Sequence, residues 1–414
     1  MSLAMSLAFV PMSLVADDLR AARRSPAGSP IVFGREAVFV LPDDAGPIAG
    51  LAGARRALAP DRVLAAVVQK GRLFEQAHPD VTVVRRRGRF ALVEIAPDHP
   101  ALERRTDEPC YALYRVEPGA EVFRDLRLQD VRVSPDPAVQ AIVERPSMAT
   151  FGATLGELVA LHTRLSPSDF YASAARSCRE RLEALGYAAT IESFPVAGGE
   201  FANVITAAAD PAVPAAMMVV GHLDSVNHAD GPEAVAPGAD DNGSGSAGVI
   251  AMAEALQPLR ERIPLRFALF GGEEQGLHGS RHLVAGLSDA ERAALRAVIN
   301  MDMIANLNAQ SDGTPVAPGV LLEGGEVSRQ VIEGLAVQAA TYTDLAVQTS
   351  FNPFASDHLP FIEAGLPGVL TIEGADHAND RIHTAADTLD RIDFSLAHQI
   401  LRMNTAYVAS LAGT

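Results

Sequence analysis

The chain has 414 residues and a mass of 43.6 kDa, long enough for two or three domains. Hydrophobic residues make up 48% and charged residues 21%, ordinary globular usage that excludes a disordered or collagen-like chain. No apolar run reaches the ~18 residues a bilayer span requires, and the net charge of −17 argues against nucleic acid as a partner.

The charge is uneven. Residues 1–134 are close to neutral at +2, whereas residues 135–414 carry −19. An acidic region suits metal cations or cationic ligands, although solubility is the better account of the sum alone. Two cysteines, Cys110 and Cys178, form no C-x-x-C pair and are expected to be free thiols.

At the N-terminus, MSLAMSLAFVPMSLVA is apolar and ends in a small residue. It lacks a basic start, and Pro11 interrupts it. Residues 1–27 are therefore expected to be a separate leader-like segment. This makes a secreted or periplasmic location the expectation and a cytoplasmic one the alternative. Residues 28–133 read as a small α+β domain: a strand over 31–41, a helix over 61–76, strands over 81–84, 90–95 and 111–116, and a charged turn at 85–89. No catalytic residue types cluster there.

The stretch SPDPAV at 134–139 marks a boundary. Helices are expected over 151–164 and 168–185. Short apolar runs at 202–206, 216–220, 265–270, 297–300, 319–322 and 368–372 then alternate with helical patterns such as 245–256 and 289–295. This predicts an α/β domain over 134–414, with a mixed, largely parallel sheet covered by helices on both faces. In such sheets, sites form at the carboxyl ends of the strands.

Acids and histidines recur at those ends. GHLDS places His222 and Asp224 two apart, on one side of an extended backbone. PGADDNGSG holds Asp240 and Asp241, adjacent carboxylates that repel unless a cation or a helix N-terminus takes up their charge. GGEEQGLHGS holds Glu273 and Glu274, and NMDMIA places Asp302 in apolar surroundings where it needs a partner. IHTAADTLD contributes His383 and Asp387. Each block alone has a structural explanation. Together they supply oxygen and nitrogen donors without a thiolate, a set that suits zinc.

The five blocks, in this order, resemble the co-catalytic two-zinc aminopeptidases, whose relatives include glutamate carboxypeptidases and glutaminyl cyclases. The resemblance covers about 140–414 and leaves out residues 1–130. It implies two zinc ions and a peptide substrate. His222 and Asp302 would bind one zinc, Glu274 and His383 the other, and Asp240 would bridge them across a cis Asp240–Asp241 peptide. Asp224 would orient His222, and Glu273 would act as general base and acid.

The implied activity is zinc-dependent aminopeptidase hydrolysis of apolar N-terminal residues. A metallo-carboxypeptidase or dipeptidase is the alternative, and a glutaminyl cyclase is disfavoured by the absence of tryptophan. A carboxypeptidase would need a cationic clamp, for which Arg281 and Arg381 are the arginines beside the blocks. The tyrosine that precedes an SDH block in the aminopeptidases is missing from SFNPFASDH. Phe351 and Phe354 there are candidates for a pocket wall, and His358 for a structural role. The resemblance gives His228, His278, His282 and His377 no ligand role.

Overall fold

The structure, a computed structural model, describes residues 5–11, 29–42, 55–102, 111–210, 212–306 and 316–413. Cys110 and most of the leader-like segment lie outside these. The chain divides into two compact units, Met1–Leu126 with Gln348–Phe354, and Arg127–Val347 with Ala355–Thr414.

The first unit is built from largely antiparallel strands. Strands β1 (Met5–Pro11), β2 (Ile31–Gly34), β3 (Glu36–Pro42) and β4 (Arg55–Leu58) are followed by β5 (Val63–Gln69), helix α1 (Leu73–Ala77), β6 (Thr82–Arg87), β7 (Phe90–Ile95), β8 (Tyr111–Arg115) and β9 (Glu121–Asp125). In one sheet β1 pairs with both β3 and β4, β3 with β2, and β2 in parallel with β9. The other sheet runs β6-β7-β5-β8. Residues 5–11 of the leader-like segment thus form a strand of this unit, with Leu7 and Val10 buried.

Three local expectations fail here. Residues 31–41 form two strands, because the chain turns at Gly34 with φ 62°. The helix expected over 61–76 is mostly strand: Ala65, Ala66, Val67 and Val68 are buried between β7 and β8, and a short apolar run does not distinguish a buried strand from a helix. Arg85–Arg87 belong to β6, and the turn falls at Gly88, φ 59°.

The second unit opens with helices α2 (Pro137–Val143), α3 (Met148–Val159) and α4 (Asp169–Ala184). Asp136, Ser147 and Ser168 cap their N-termini by accepting backbone N–H bonds. Strands follow as β10 (Ala189–Val196), β11 (Gly199–Thr206), β12 (Met217–His222), β13 (Leu265–Phe270), β14 (Ala297–Met301), β15 (Gly319–Gly324), β16 (Ala346–Ser350) and β17 (Gly368–Glu373).

Their order, β10-β11-β13-β12-β14-β17-β15-β16, has four central parallel strands, β13-β12-β14-β17. The pairs β10–β11, β11–β13 and β15–β17 are antiparallel. This is the expected mixed α/β sheet. Helix α5 (Gly245–Leu256) packs on β12, and α6 (His278–Gly286) supplies Leu283 and Val284 to a core with Met218, Val220, Ala268 and Phe270. The remaining helices are α7 (Asp289–Ala294), α8 (Arg329–Tyr342), α9 (Leu359–Glu363) and α10 (Phe394–Ser410). No helix among the described residues is long and apolar enough to cross a membrane.

The start of α5 lies against the end of β14. A Cβ on Gly245 would fall 2.2 Å from the Met301 carbonyl oxygen and 2.3 Å from Asn242 Oδ1. A backbone atom cannot yield as a flexible side chain can. Gly245→Ala is therefore expected to cost about 2 kcal/mol or more and to lower Tm by roughly 5 °C or more in a circular dichroism melt. An unchanged Tm would refute this close packing.

Candidate active site

The site assembles at the carboxyl ends of the parallel strands. β12 ends in His222, β13 leads into Glu273 and Glu274, and β14 leads into Asp302. The irregular turn before α5 carries Asp240 and Asp241, and His383 comes from the loop after β17. His222, Asp224, Asp241 and Asp302 are almost completely buried.

Two groups of candidate ligand atoms lie side by side. In one, His222 Nε2 is 3.3 Å from Asp241 Oδ1 and 3.4 Å from Asp302 Oδ1. In the other, His383 Nε2 is 3.0 Å from both Asp241 Oδ2 and Glu274 Oε2. The two oxygens of Asp241 therefore face two different histidines. Glu273 Oε2 is 3.9 Å from His222 Nε2. Of the seven residues picked out in the sequence, six converge here with Asp241.

Asp240 is the exception, and the assignment moves by one residue. Its Oδ1 accepts from the Ala305 N–H at 3.0 Å, and its Oδ2 from Asn379 Nδ2 at 2.9 Å, so its carboxylate turns away from the histidines. The cis peptide joins Asp241 to Asn242, not Asp240 to Asp241. Adjacent side chains diverge along the turn, and only the second of the pair reaches the ligand atoms. Burial, with the charge of Asp387 beside it, raises the Asp240 pKa well above the usual carboxylate range, against the opposing Ala305 N–H bond.

Further residues hold these groups in place. Asp224 accepts from the backbone N–H of Glu273 at 3.3 Å and of Glu274 at 3.1 Å, and its Oδ1 lies 3.5 Å from His222 Nδ1. Asp387 Oδ1 and Oδ2 accept from the N–H groups of Asp240 and Asp241 at 2.9 and 3.0 Å. Burial nevertheless pushes the Asp387 carboxyl up to about 7. Ser356 donates to Asp302 Oδ2 at 2.7 Å.

Arg164 is fully buried. It donates to the carbonyls of Leu223 (2.7 Å), Gly238 (2.9 Å), Leu158 (3.3 Å) and Pro237. It thereby ties the loop after β12 to the loop before Asp240. The charges of Asp387 and Asp224 favour its charged form, against the larger opposing effect of burial.

Arg164 and Ser356 were not legible in the sequence, because their partners are carbonyls and a distant acid, neither of which leaves a spacing signal. His228 was passed over as well. A ring nitrogen of this residue joins ligand atoms of Glu274 and His383 within 4.8 Å of one another. Met303 and His383 adopt positive φ, 55° and 56°, an uncommon backbone region concentrated here beside ligand candidates.

The site fits a cation. Oxygen and nitrogen donors converge with no thiolate. Glu274 Oε1, although buried, accepts no hydrogen bond among the described residues. Burial disfavours charge on His222, yet the charges of Glu273 and Asp302 outweigh it and raise its pKa well above the ordinary value.

The profile of peptidase family M28 matches residues 203–408. Over this segment the chain is similar to peptidase family M28. Leucine aminopeptidase 1 of Arthroderma otae is 27% identical over 292 residues, 66% of this chain and 77% of that protein. LapA of Legionella pneumophila superposes with TM-score 0.58 at 18% identity, over 85% of this chain and 100% of LapA. BSAP, a zinc aminopeptidase from Bacillus subtilis, gives 0.52 at 16% identity, over 65% and 95%. At these identities the structural likeness is one of fold. With LapA it extends beyond the length of the second unit alone.

The shift from Asp240 to Asp241 has a direct consequence. Asp241→Asn is expected to leave at most one metal per chain after dialysis. Asp240→Asn should keep the full complement, because the Asp240 carboxylate is engaged by Ala305 and Asn379 and turns away from the histidines. Elemental analysis of the two variants separates these outcomes, and the reverse pattern would restore Asp240 as the bridge.

Proposed function

We propose that this protein is a zinc aminopeptidase with two zinc ions that removes apolar N-terminal residues from peptides. His222 and Asp302 would hold one zinc and Glu274 and His383 the other, with Asp241 placed to contribute to both. The observation that carries this reading is Asp241, with one carboxylate oxygen toward each histidine at 3.3 and 3.0 Å. The name of the 27% identical leucine aminopeptidase supports the apolar preference.

When bound, a zinc pair lowers the pKa of a water and stabilises negative charge developing on the peptide carbonyl oxygen. Glu273 takes the proton of the attacking water and passes it to the leaving amine. Asp224 fixes the backbone of Glu273 and Glu274 from below and keeps His222 in orientation. The surrounding carboxylates attract the α-ammonium of an unblocked peptide.

A carboxypeptidase would need an arginine at the substrate carboxylate. Arg281 instead pairs with Glu363 at 3.0 Å and Arg381 with Asp380 at 3.1 Å, which favours the amino-end reading.

Mass spectrometry of a mixed-sequence peptide tests the proposal. With zinc-loaded protein, residues are lost stepwise from a free N-terminus, and an N-acetylated copy stays intact. Loss from the C-terminus would instead establish the carboxypeptidase. Glu273→Gln is expected to keep its zinc and lose at least about 100-fold in kcat; a variant with normal turnover would remove Glu273 from its role.

A further inference from the structure

His228 lies on the loop after β12, outside the blocks that supply the other ligand candidates, and it is exposed. Its position beside His383 is nevertheless fixed in three ways. Its backbone N–H donates to the His383 carbonyl at 3.0 Å. Its ring meets the His383 ring edge-on, with centroids 4.7 Å apart and planes at 86°. Its ring nitrogen completes a trio with Glu274 and His383 whose ligand atoms all lie within 4.8 Å of one another.

The loop that carries it is pinned on both sides. Asn227 Nδ2 donates to the Val235 carbonyl at 2.8 Å and to Asp230 Oδ2 at 3.2 Å, and Asn227 Oδ1 accepts from the Asp230 N–H at 2.8 Å. The Gly231 N–H also returns to the Asn227 carbonyl at 3.1 Å. This holds the His228 backbone against the His383 loop.

We propose that His228 is a further protein ligand of the metal held by Glu274 and His383, giving that ion two imidazoles where its neighbour has one. The inference rests on the two-zinc reading above. The main-chain bond to His383 needs no particular side chain, since any residue but proline supplies an N–H. The approach of the imidazole to the same two ligand atoms is the feature that calls for histidine. Zinc–nitrogen bonds of about 2.0–2.1 Å in tetrahedral geometry set neighbouring donors roughly 3.4 Å apart. The atoms of the trio already lie within 4.8 Å of one another, close to that spacing.

A neutral imidazole adds a strong donor without adding charge to a cluster already rich in carboxylates. The two positions then differ. One has His222, Asp241 and Asp302. The other would have His228, His383, Glu274 and Asp241. His228 thus strengthens retention of one metal of the pair.

The test is cobalt(II) titration of the metal-free full chain, followed by visible absorption, comparing the unsubstituted protein with His228→Ala. Because His228 is exposed, the substitution leaves the core intact. Two binding steps are expected in the unsubstituted protein. In His228→Ala, one step weakens by at least about tenfold, and its d–d absorption changes as a protein nitrogen is replaced by water. The other step keeps its affinity and spectrum. Two unaltered steps in the variant would overturn the role of His228 and leave the two-metal reading standing. Fewer than two steps in the unsubstituted protein would overturn both.

Discussion

The second unit is organised around buried negative charge. Asp224, Asp240, Asp241, Asp302, Asp357, Glu373 and Asp387 are each under 5% exposed, all on or beside the carboxyl ends of the parallel strands. A buried carboxylate without a proton, a cation or several N–H donors is costly. The fold supplies all three remedies in different places. Asp224 and Asp387 accept main-chain N–H groups, and thereby hold the Glu273–Glu274 and Asp240–Asp241 turns. Burial pushes Asp240 and Glu373 well above the usual carboxylate range, helped by the charge of Asp387 at Asp240 and by that of Asp240 at Glu373. Asp241, Asp302 and Glu274 remain directed at histidines, which is the arrangement a divalent cation completes.

Arg164 is the permanent cation of this region, and it works through geometry as well as charge. A guanidinium presents its donors in a rigid planar fork, so four carbonyls from three segments are held in one relation. Two of those segments carry His222 with Asp224 and Asp240 with Asp241. The positions of the metal-facing side chains thus depend on a residue that touches none of them. Tight backbone contacts at Gly245 act in the same sense, bringing α5 against the end of β14 beside Asp302.

Much of this was legible in the sequence because the site follows strand ends. Each block begins where an apolar run stops, and the parallel order of β13-β12-β14-β17 brings those ends to one edge. Residue type alone does not tell Asp240 from Asp241: both are aspartates, and the choice depends on how the turn directs each side chain. Arg164 was hidden because its partners are carbonyls, common to every residue. His228 was hidden because its distance to Glu274 depends on the path of the loop through Asn227. In the first unit, the run VLAAVVQ fitted helical spacing, but pairing on both sides makes it a central strand. Burial pushes the Cys178 thiol up to about 12, which withdraws it from chemistry at neutral pH.

The most direct test of the two-metal account is anomalous diffraction from crystals of the zinc-loaded protein, recorded on both sides of the zinc edge. The account predicts two anomalous peaks roughly 3.5–4 Å apart, with one Asp241 oxygen on each. His222 and Asp302 should lie at one peak and Glu274 and His383 at the other. A single peak, or a pair bridged by Asp240, would contradict it.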